Sequence, residues 1–209
     1  MGSETGGPQP FILIVAGTPG VGKSTFARAL AAELGCGVIE PSSIAVERSL
    51  GVPDPERPGT LIIDEARLVE AVKESIRPPC SLIVTHYPGL FLEDDEIYQR
   101  AAAVALLRAN PVLLASRLEA RGWPRRKVLE NAMAEALGVV AEELAGYEDM
   151  VFEVDTTGMD VSGSLNAFLD KLETWDVGIR TDWLALDEVS NAVVIWGSEL
   201  DSYEDGPGD

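Results

Sequence analysis

The sequence contains few cysteines and a single histidine. Cys36, Cys80 and His86 are the only residues of these two types among 209. The cysteines do not form a metal-ligand spacing such as CxxC, which argues against a structural zinc site. In a chain without a leader, two isolated cysteines are typical of small buried residues in a reducing compartment, so we expect no disulfide between them.

Basic residues are also scarce. The chain has 16 Lys and Arg residues against 35 Asp and Glu residues, which gives a formal net charge of -19. This balance argues against sequence-independent capture of nucleic acid and predicts no direct DNA binding. A basic partner would be compatible with the charge. The alternative is that the acidity serves only solubility or adapts the chain to a salty cytoplasm.

Long apolar runs are absent as well. No stretch reaches the roughly 18 apolar residues that a membrane span needs, and the N-terminal MGSETGGPQP has neither a charged n-region nor an apolar h-region. We therefore expect a soluble cytoplasmic protein with no membrane association, present also in the nucleus if the source is a eukaryote. We expect a monomer, and 46% hydrophobic residues suffice for the core of one domain.

Apolar segments alternate with segments of helical periodicity along most of the chain. The predicted strands are 11–17, 37–40, 81–86, 101–109 and 150–156. The predicted helices are 23–35, 41–50, 63–76, 111–122, 124–147 and 162–175, the last with a serine cap. Such alternation is typical of parallel βαβ units, so the sequence predicts a three-layer α/β fold with a five-stranded parallel sheet. Ligands would bind at the carboxyl ends of the strands, and the stretch 51–59 is predicted to be a turn.

The segment GTPGVGKS at 17–24 matches GxxxxGK[ST] and lies between a predicted buried strand and a predicted helix. This context predicts a P-loop, in which glycines let backbone N–H groups turn towards phosphates at a helix N-terminus. Lys23 is expected to reach the β and γ oxygens, and the Ser24 hydroxyl to ligate Mg²⁺. The predicted nucleotide-binding residues of the loop are Gly17, Pro19, Gly20, Val21, Gly22, Lys23, Ser24 and Thr25.

A P-loop predicts ATP or GTP binding without naming the acceptor. The sequence has no base-reading NKxD motif of the kind that GTPases usually carry. An arginine-rich pair of helices after the fourth strand instead suggests a phosphotransferase with a closing lid. We therefore expect ATP with Mg²⁺ to bind a P-loop NTPase domain at 11–175, preceded by a flexible N-terminus at 1–10.

Residues 176–209 form an acidic extension with nine acidic residues and one basic residue, Arg180. Trp183 and the VVIW segment at 193–196 are too apolar for a purely solvated run. We expect this segment to add a strand or to dock on the body of the domain. The last eight or so residues are expected to be disordered.

Four segments carry a family resemblance: GTPGVGKST (17–25), IDEARLVEAV (63–72), SLIVTH (81–86) and LEARGWPRRKVLENAMAE (118–135). Together they resemble the adenylate-kinase-like ATPases of the isoenzyme-six type, which act in small ribosomal subunit assembly in archaea and eukaryotes. The last segment is the most specific, because its arginine, glycine, aromatic residue, asparagine and glutamate recur in the family in the same order. The resemblance covers roughly 11–175 and implies a nucleoside monophosphate kinase-like fold with a short helical lid.

The resemblance implies roles for the residues of the lid. Arg121 would belong to the hinge and lid that close over ATP. Arg125 and Arg126 would face the negative charge of the transferring phosphoryl group, unless they are simply solvated arginines on a helix face. Asn131 and Glu135 would brace the lid rather than contact the substrate.

The resemblance fails at the metal side of the site. The family's third strand ends in an acid, any residue and a histidine, but here these positions hold Val84, Thr85 and His86. Either Mg²⁺ is held mainly by Ser24 and the phosphates, or a carboxylate such as Asp64 replaces the acid; Asp64 could also serve only the N-terminus of its helix. His86 is either a satisfied structural residue or orients an attacking water or the acceptor phosphate.

Three functions remain open from the sequence. The first is transfer of the γ-phosphoryl group of ATP to AMP, giving two ADP, with Lys23, His86, Arg121 and Arg125 as candidate catalytic residues. The family's arginine after the second strand is replaced by Val46, which puts monophosphate affinity in doubt. The second is a nucleotide-switched assembly factor for a basic small-subunit ribosomal protein, which the resemblance identifies as the uS11 type. The third is a small-metabolite kinase.

Overall fold

The centre of the molecule is a parallel sheet, as the sequence predicts. The computed structural model describes residues 9–55 and 61–204. Their strands are β1 (Phe11–Ala16), β2 (Gly37–Ile39), β3 (Gly51–Pro53), β4 (Leu61–Ile63), β5 (Cys80–Val84), β6 (Ala101–Arg108) and β7 (Val151–Asp155). Strands β2, β5, β1, β6 and β7 lie side by side in that order and pair in parallel, which confirms the five-stranded sheet.

Helices follow nearly every strand of this sheet. They are α1 (Lys23–Leu34), α2 (Pro41–Glu47), α3 (Glu65–Lys73), α4 (Pro88–Leu92), α5 (Asp95–Arg100), α6 (Pro111–Ala120), α7 (Arg125–Ala136), α8 (Val139–Glu142), α9 (Val161–Thr174) and α10 (Asp187–Glu204). Two 3₁₀ turns lie at Glu148–Met150 and Trp183–Ala185. Within 9–55 and 61–204, none of the helices is long and apolar enough to cross a bilayer.

The two faces of the sheet carry separate hydrophobic cores. Successive side chains of a strand point to opposite faces, so Leu13 and Val15 of β1 pack with α1, α6, α7 and α9, while Ile12 and Ile14 pack with α2, α3, α4 and α5. Because helices cover both faces, β1 is a continuous apolar run rather than an alternating one. The predicted three-layer α/β fold is thereby confirmed.

Several local predictions differ from the structure. In the predicted turn at 51–59, β3 pairs with β4 as an antiparallel hairpin; 56–60 lie outside the described residues. The helix predicted at 124–147 is divided, because Gly138 adopts a left-handed conformation (φ +69°) between α7 and α8. The predicted serine cap of α9 is wrong: the Asp160 carboxylate accepts a hydrogen bond from the Gly163 N–H at 2.7 Å. Helices α4 and α5 were not predicted.

The expectation of two unpaired cysteines is also wrong, because Cys36 and Cys80 form a disulfide. Gly37 of β2 pairs with Ser81 of β5, so the residues that immediately precede them lie side by side. Their Cα atoms are 4.8 Å apart, within the range that a disulfide requires. The contact arises from strand order, which the separation of the two cysteines in the sequence does not reveal.

Over its described residues, 176–204, the acidic extension docks on the domain as a helix and adds no strand to the sheet. Trp183 and Trp196 are both buried. Trp196 of α10 joins the core on the face of α1, α6, α7 and α9, and the Trp183 indole N–H donates to the Glu135 carboxylate at 3.0 Å. Of the predicted flexible ends, 1–8 and 205–209 lie outside the described residues, whereas 202–204 belong to α10.

Truncation of Trp196 tests whether the extension contributes to stability. The side chain is 7% exposed, whereas that of Val194 on the same helix is 70% exposed. We expect Trp196→Ala to lower the free energy of unfolding by about 3 kcal/mol, because a large buried side chain is lost. Val194→Ala should change it by less than about 0.5 kcal/mol. Urea unfolding followed by circular dichroism measures both; equal effects would show that α10 does not dock as described.

Candidate active site

The P-loop joins β1 to α1 at the carboxyl edge of the sheet. Gly17 and Gly20 have φ values of +141° and +101°. A Cβ at Gly17 would clash with the Leu107 carbonyl oxygen, and one at Gly20 would lie 2.8 Å from a Leu114 methyl group. Only glycine fits these two positions. Since α1 begins at Lys23, the free N–H groups of its first turn face the loop, as in an anion site.

Lys23 is folded onto the loop itself. Its ammonium donates to the carbonyl oxygens of Gly17 and Thr18 at 2.6 and 3.1 Å. Burial lowers the pKa of Lys23 to about 8, and the charge of nearby Glu135 partly opposes this shift. The two carbonyl groups therefore hold the ammonium close to where a phosphate would bind. Burial there lowers the pKa of Lys23, and the negative charge of a bound phosphate would raise it again.

A cavity of about 420 Å³ lies in front of the loop. It is lined by Pro19, Gly20, Gly22, Lys23, Ser24, Thr25, Glu40, Ser42, Val84, Thr85, His86, Arg121 and Trp123. The structure thus brings most of the predicted nucleotide-binding residues together with His86 and Arg121. Gly17 and Val21 do not line this cavity. Val21 lines a neighbouring cavity instead, and its carbonyl accepts from the Thr156 hydroxyl at 3.1 Å.

Two further predicted site residues, Asp64 and Arg125, do not line this cavity. Asp64 caps α3, its carboxylate accepting from the Arg67 N–H at 3.1 Å, so it is placed for helix capping rather than for metal binding. Arg125 forms ion pairs with Glu119 and Glu199, which raise its pKa. Its charge therefore ties α7 to α6 and α10.

The other lid residues differ in their placement. Arg126 pairs with Glu130 one turn along α7 at 2.9 Å and is half exposed, as expected of a solvated helix-face arginine. The Asn131 amide donates to the Lys127 carbonyl of its own helix at 2.7 Å. Arg121 ends α6 and is followed by Gly122 in a left-handed conformation (φ +75°). The turn between α6 and α7 thus carries Arg121 to the cavity, where a lid arginine is expected.

His86 follows β5 and faces two cavities. Besides the P-loop cavity, it lines an adjacent apolar groove of about 500 Å³. Burial, and secondarily the charge of Lys23, lowers the pKa of His86 to about 4. The imidazole is consequently neutral at neutral pH and has one nitrogen that donates and one that accepts. Val84, at the position of the missing acid, lines the P-loop cavity, but its side chain has no oxygen atom.

A buried ion pair beneath the P-loop is the feature that sequence reasoning described least completely. Glu135 of α7 is 1% exposed and Arg108 of β6 is 2% exposed, and the guanidinium donates to the carboxylate at 2.8 Å. The other carboxylate oxygen accepts from the Thr18 hydroxyl of the P-loop at 2.6 Å. Glu135 therefore braces the lid helix, as the resemblance implies, but it does so by joining that helix to the loop.

The donor set in the cavity fits a metal ion that arrives with phosphates. Within the part of the chain that the structure describes, no three His, Cys, Asp or Glu side chains lie close enough to hold a metal ion. Ser24 lines the cavity, and its hydroxyl has no hydrogen-bond partner among the described residues. A hydroxyl beside a phosphate cradle suits Mg²⁺, which takes oxygen ligands, keeps several waters and is usually shared with substrate phosphates.

The pKa of Lys23 predicts how nucleotide binding depends on pH. Bound phosphate favours the ammonium, so above about pH 8 binding requires uptake of a proton. We expect the affinity for ADP to be constant from pH 7 to about 8 and then to fall by up to about tenfold per pH unit. Titration calorimetry in two buffers of different ionisation enthalpy measures the uptake. Lys23→Arg, which stays charged, should show no such fall; a flat profile for the unaltered protein up to pH 10 would contradict the pKa.

Comparison with known proteins identifies relatives of this chain. A family model described as an AAA domain matches residues 13–138. A protein of Saccharolobus solfataricus named "Putative adenylate kinase" is 34% identical over 194 residues, which are 92% of this chain and 98% of that protein. One of the same name from Pyrococcus furiosus is 32% identical over 180 residues, 85% of this chain and 93% of that protein.

Among solved structures, a gluconokinase from Sinorhizobium meliloti 1021 superposes with a TM-score of 0.52 at 18% identity, covering 79% of this chain and 93% of that one. At this identity the likeness supports the fold alone. The sequence relatives support more than the fold, because their similarity spans nearly the whole chain and includes the P-loop and the lid. The chain therefore belongs to the adenylate-kinase-like P-loop family.

Proposed function

We propose that the protein transfers the γ-phosphoryl group of ATP to a nucleoside monophosphate, with AMP as the preferred acceptor and ADP as the product. One observation carries this proposal: the P-loop cavity and the apolar groove adjoin each other across Val84, Thr85 and His86. A kinase must hold two substrates with their reacting phosphates in contact. Two adjoining cavities at the carboxyl edge of the sheet meet that requirement.

The donor nucleotide would bind with its phosphates on the P-loop. Backbone N–H groups of the loop and the Lys23 ammonium would hold the β- and γ-phosphates. Ser24 would hold Mg²⁺ that arrives with ATP, and this ion would neutralise charge on the phosphates. A third cavity, about 170 Å³ and lined by Gly20, Arg117, Arg121 and Thr156 among others, would take the adenine ring. Arg121 lines this third cavity and the P-loop cavity and would face the phosphates when the lid closes.

The acceptor would occupy the apolar groove. Its walls come from α2, β4, α3 and α4 and consist mainly of apolar side chains, including Ala45, Leu68 and Phe91. These surfaces suit an adenine ring. Among the described residues that line the groove, Lys127 is the only cation, and Arg48 is engaged with Glu74 at 2.5 Å. The acceptor would therefore be held chiefly by its base, and its affinity should be low.

His86 would orient the acceptor phosphate or an attacking water. It lies where the two cavities meet, and its low pKa keeps it neutral. A neutral imidazole can donate a hydrogen bond to a phosphate oxygen and keep its own proton. The same position would let water replace the acceptor, so we expect some ATP hydrolysis without a monophosphate.

The charge of the molecule suggests a second role for the same nucleotide site. A net charge of -19 on 209 residues favours a basic partner. We propose that the nucleotide state controls binding to a basic small-subunit ribosomal protein of the uS11 type, in the cytoplasm and with the protein acting as a monomer. An association of this kind should weaken steeply as the salt concentration rises.

Formation of ADP tests the first role directly. We expect AMP to accelerate ADP formation from MgATP, and Lys23→Ala to lower kcat by roughly 10²–10³-fold because a phosphate-binding charge is lost. Lys171→Ala removes a lysine that pairs with Asp176 on the surface and should leave the rate unchanged. Each monophosphate, gluconate and a basic ribosomal protein should be tested in turn. If no monophosphate is phosphorylated and the ribosomal protein leaves hydrolysis unchanged, both roles are excluded.

The role of His86 has its own test. We expect His86→Ala to lower kcat by about 10- to 100-fold, the worth of one hydrogen bond to a charged group, while the dissociation constant of ADP stays the same. Steady-state kinetics and calorimetry measure the two quantities. Unaltered turnover with intact ADP affinity would return His86 to a structural role.

A further inference from the structure

The missing acid of β5 leaves a gap in the metal side of the site. The Val84 side chain provides no oxygen, and Asp64 caps α3 away from the cavity. Among the described residues, Glu40 is the one carboxylate that lines the P-loop cavity together with Lys23 and Ser24. Sequence reasoning did not single out Glu40, which directly follows β2.

Strand register places Glu40 beside the position of the missing acid. Ile39 of β2 pairs with Ile83 of β5 in a parallel ladder, so the next residues, Glu40 and Val84, lie at the same level. Neighbouring strands are about 4.8 Å apart. A glutamate is one methylene longer than an aspartate, which extends its reach from the edge strand towards the phosphates. Glu40 therefore lies one strand away from the position of the missing acid, at the same height of the sheet.

The Glu40 side chain also lies against the face of α1 that carries Ser24. Its carboxylate accepts from the Arg28 guanidinium at 3.4 Å. Arg28 follows Ser24 by four residues, so the two side chains share one face of the helix. Glu40 therefore lies one helical turn from the serine that is expected to ligate the metal.

The carboxylate of Glu40 is free to take another partner. Glu40 is the N-cap residue of α2, but its side chain makes no capping hydrogen bond. Its contact with Arg28 is long, and the side chains of Glu40 and Arg28 are 31% and 67% exposed, respectively. Exposed pairs of this kind contribute little to stability, so rearrangement towards a bound metal would cost little.

Other carboxylates near the loop are engaged elsewhere. Asp160 caps α9 and lines the cavity on the opposite side of the P-loop. Both oxygens of Glu135 accept hydrogen bonds from Arg108 and Thr18 in the interior. Neither carboxylate lines the cavity that contains Ser24.

We propose that Glu40 replaces the missing acid of β5 by accepting hydrogen bonds from the waters of Mg²⁺ bound with the nucleotide beside Ser24. This inference rests on nucleotide binding at the P-loop and is independent of which acceptor is phosphorylated. Glu40 is a positioning residue, since it acts through water on a metal ion that the phosphates hold. Arg28 releases the carboxylate when the metal binds.

The test is the effect of Mg²⁺ on ADP affinity, measured by calorimetry on the full chain with excess Mg²⁺ and with EDTA. In the unaltered protein, Mg²⁺ should tighten ADP binding. Glu40→Gln should reduce this tightening by about 10-fold or more, the usual effect of losing a partner of a metal's ligands. The metal-free affinity should stay the same or improve, because a negative charge near the phosphates is removed. Glu47→Gln on α2, outside the cavity, should behave like the unaltered protein.

Each outcome separates this inference from the proposed function. If the unaltered protein does not bind ADP, nucleotide binding itself is excluded. If ADP binds and Mg²⁺ tightens it equally in Glu40→Gln and the unaltered protein, Glu40 does not serve the metal. If Glu40→Gln loses affinity equally with and without Mg²⁺, Glu40 has a structural role and the inference is overturned.

Discussion

The buried ion pair between Arg108 and Glu135 is the interaction on which the rest of the structure depends. Both charges are removed from water, so neither can lose its partner without a large cost. Glu135 also accepts from the Thr18 hydroxyl and the Trp183 indole, and Arg108 also pairs with Glu153 of β7 at 3.1 Å. The P-loop, the lid helix, two strands and the extension therefore share one hydrogen-bond network.

This network has consequences at the phosphate site. Glu135 contributes a negative charge that partly restores the pKa of Lys23 against burial. Because Thr18 lies within the P-loop and Glu135 lies on α7, the shape of the loop is fixed relative to the helix that follows the lid turn. Arg121, at the start of that turn, lines the P-loop cavity. The extension belongs to the same unit, since Glu153 accepts from the backbone N–H groups of Arg180 and Thr181.

The sequence predicted those features that arise from local patterns. The five parallel strands follow from apolar runs separated by helical periods, and the P-loop from its spacing between a strand and a helix. The disulfide and the position of Glu40 depend on β2 lying next to β5, which no local pattern encodes. The ion pairs of Arg125 depend on where α10 docks. The helical form of the extension was missed because VVIW is apolar and β-branched, and packing by Trp196 overrides that local preference.

Glu135 holds the P-loop, the lid helix and the extension together. Urea unfolding of Glu135→Gln, compared with Glu130→Gln on the exposed face of the same helix, tests it most directly. We expect a loss of about 3–5 kcal/mol in the free energy of unfolding for Glu135→Gln, because Arg108 loses the carboxylate it is buried against. Glu130→Gln should change it by less than about 0.5 kcal/mol. Equal stabilities of the two variants would contradict the account.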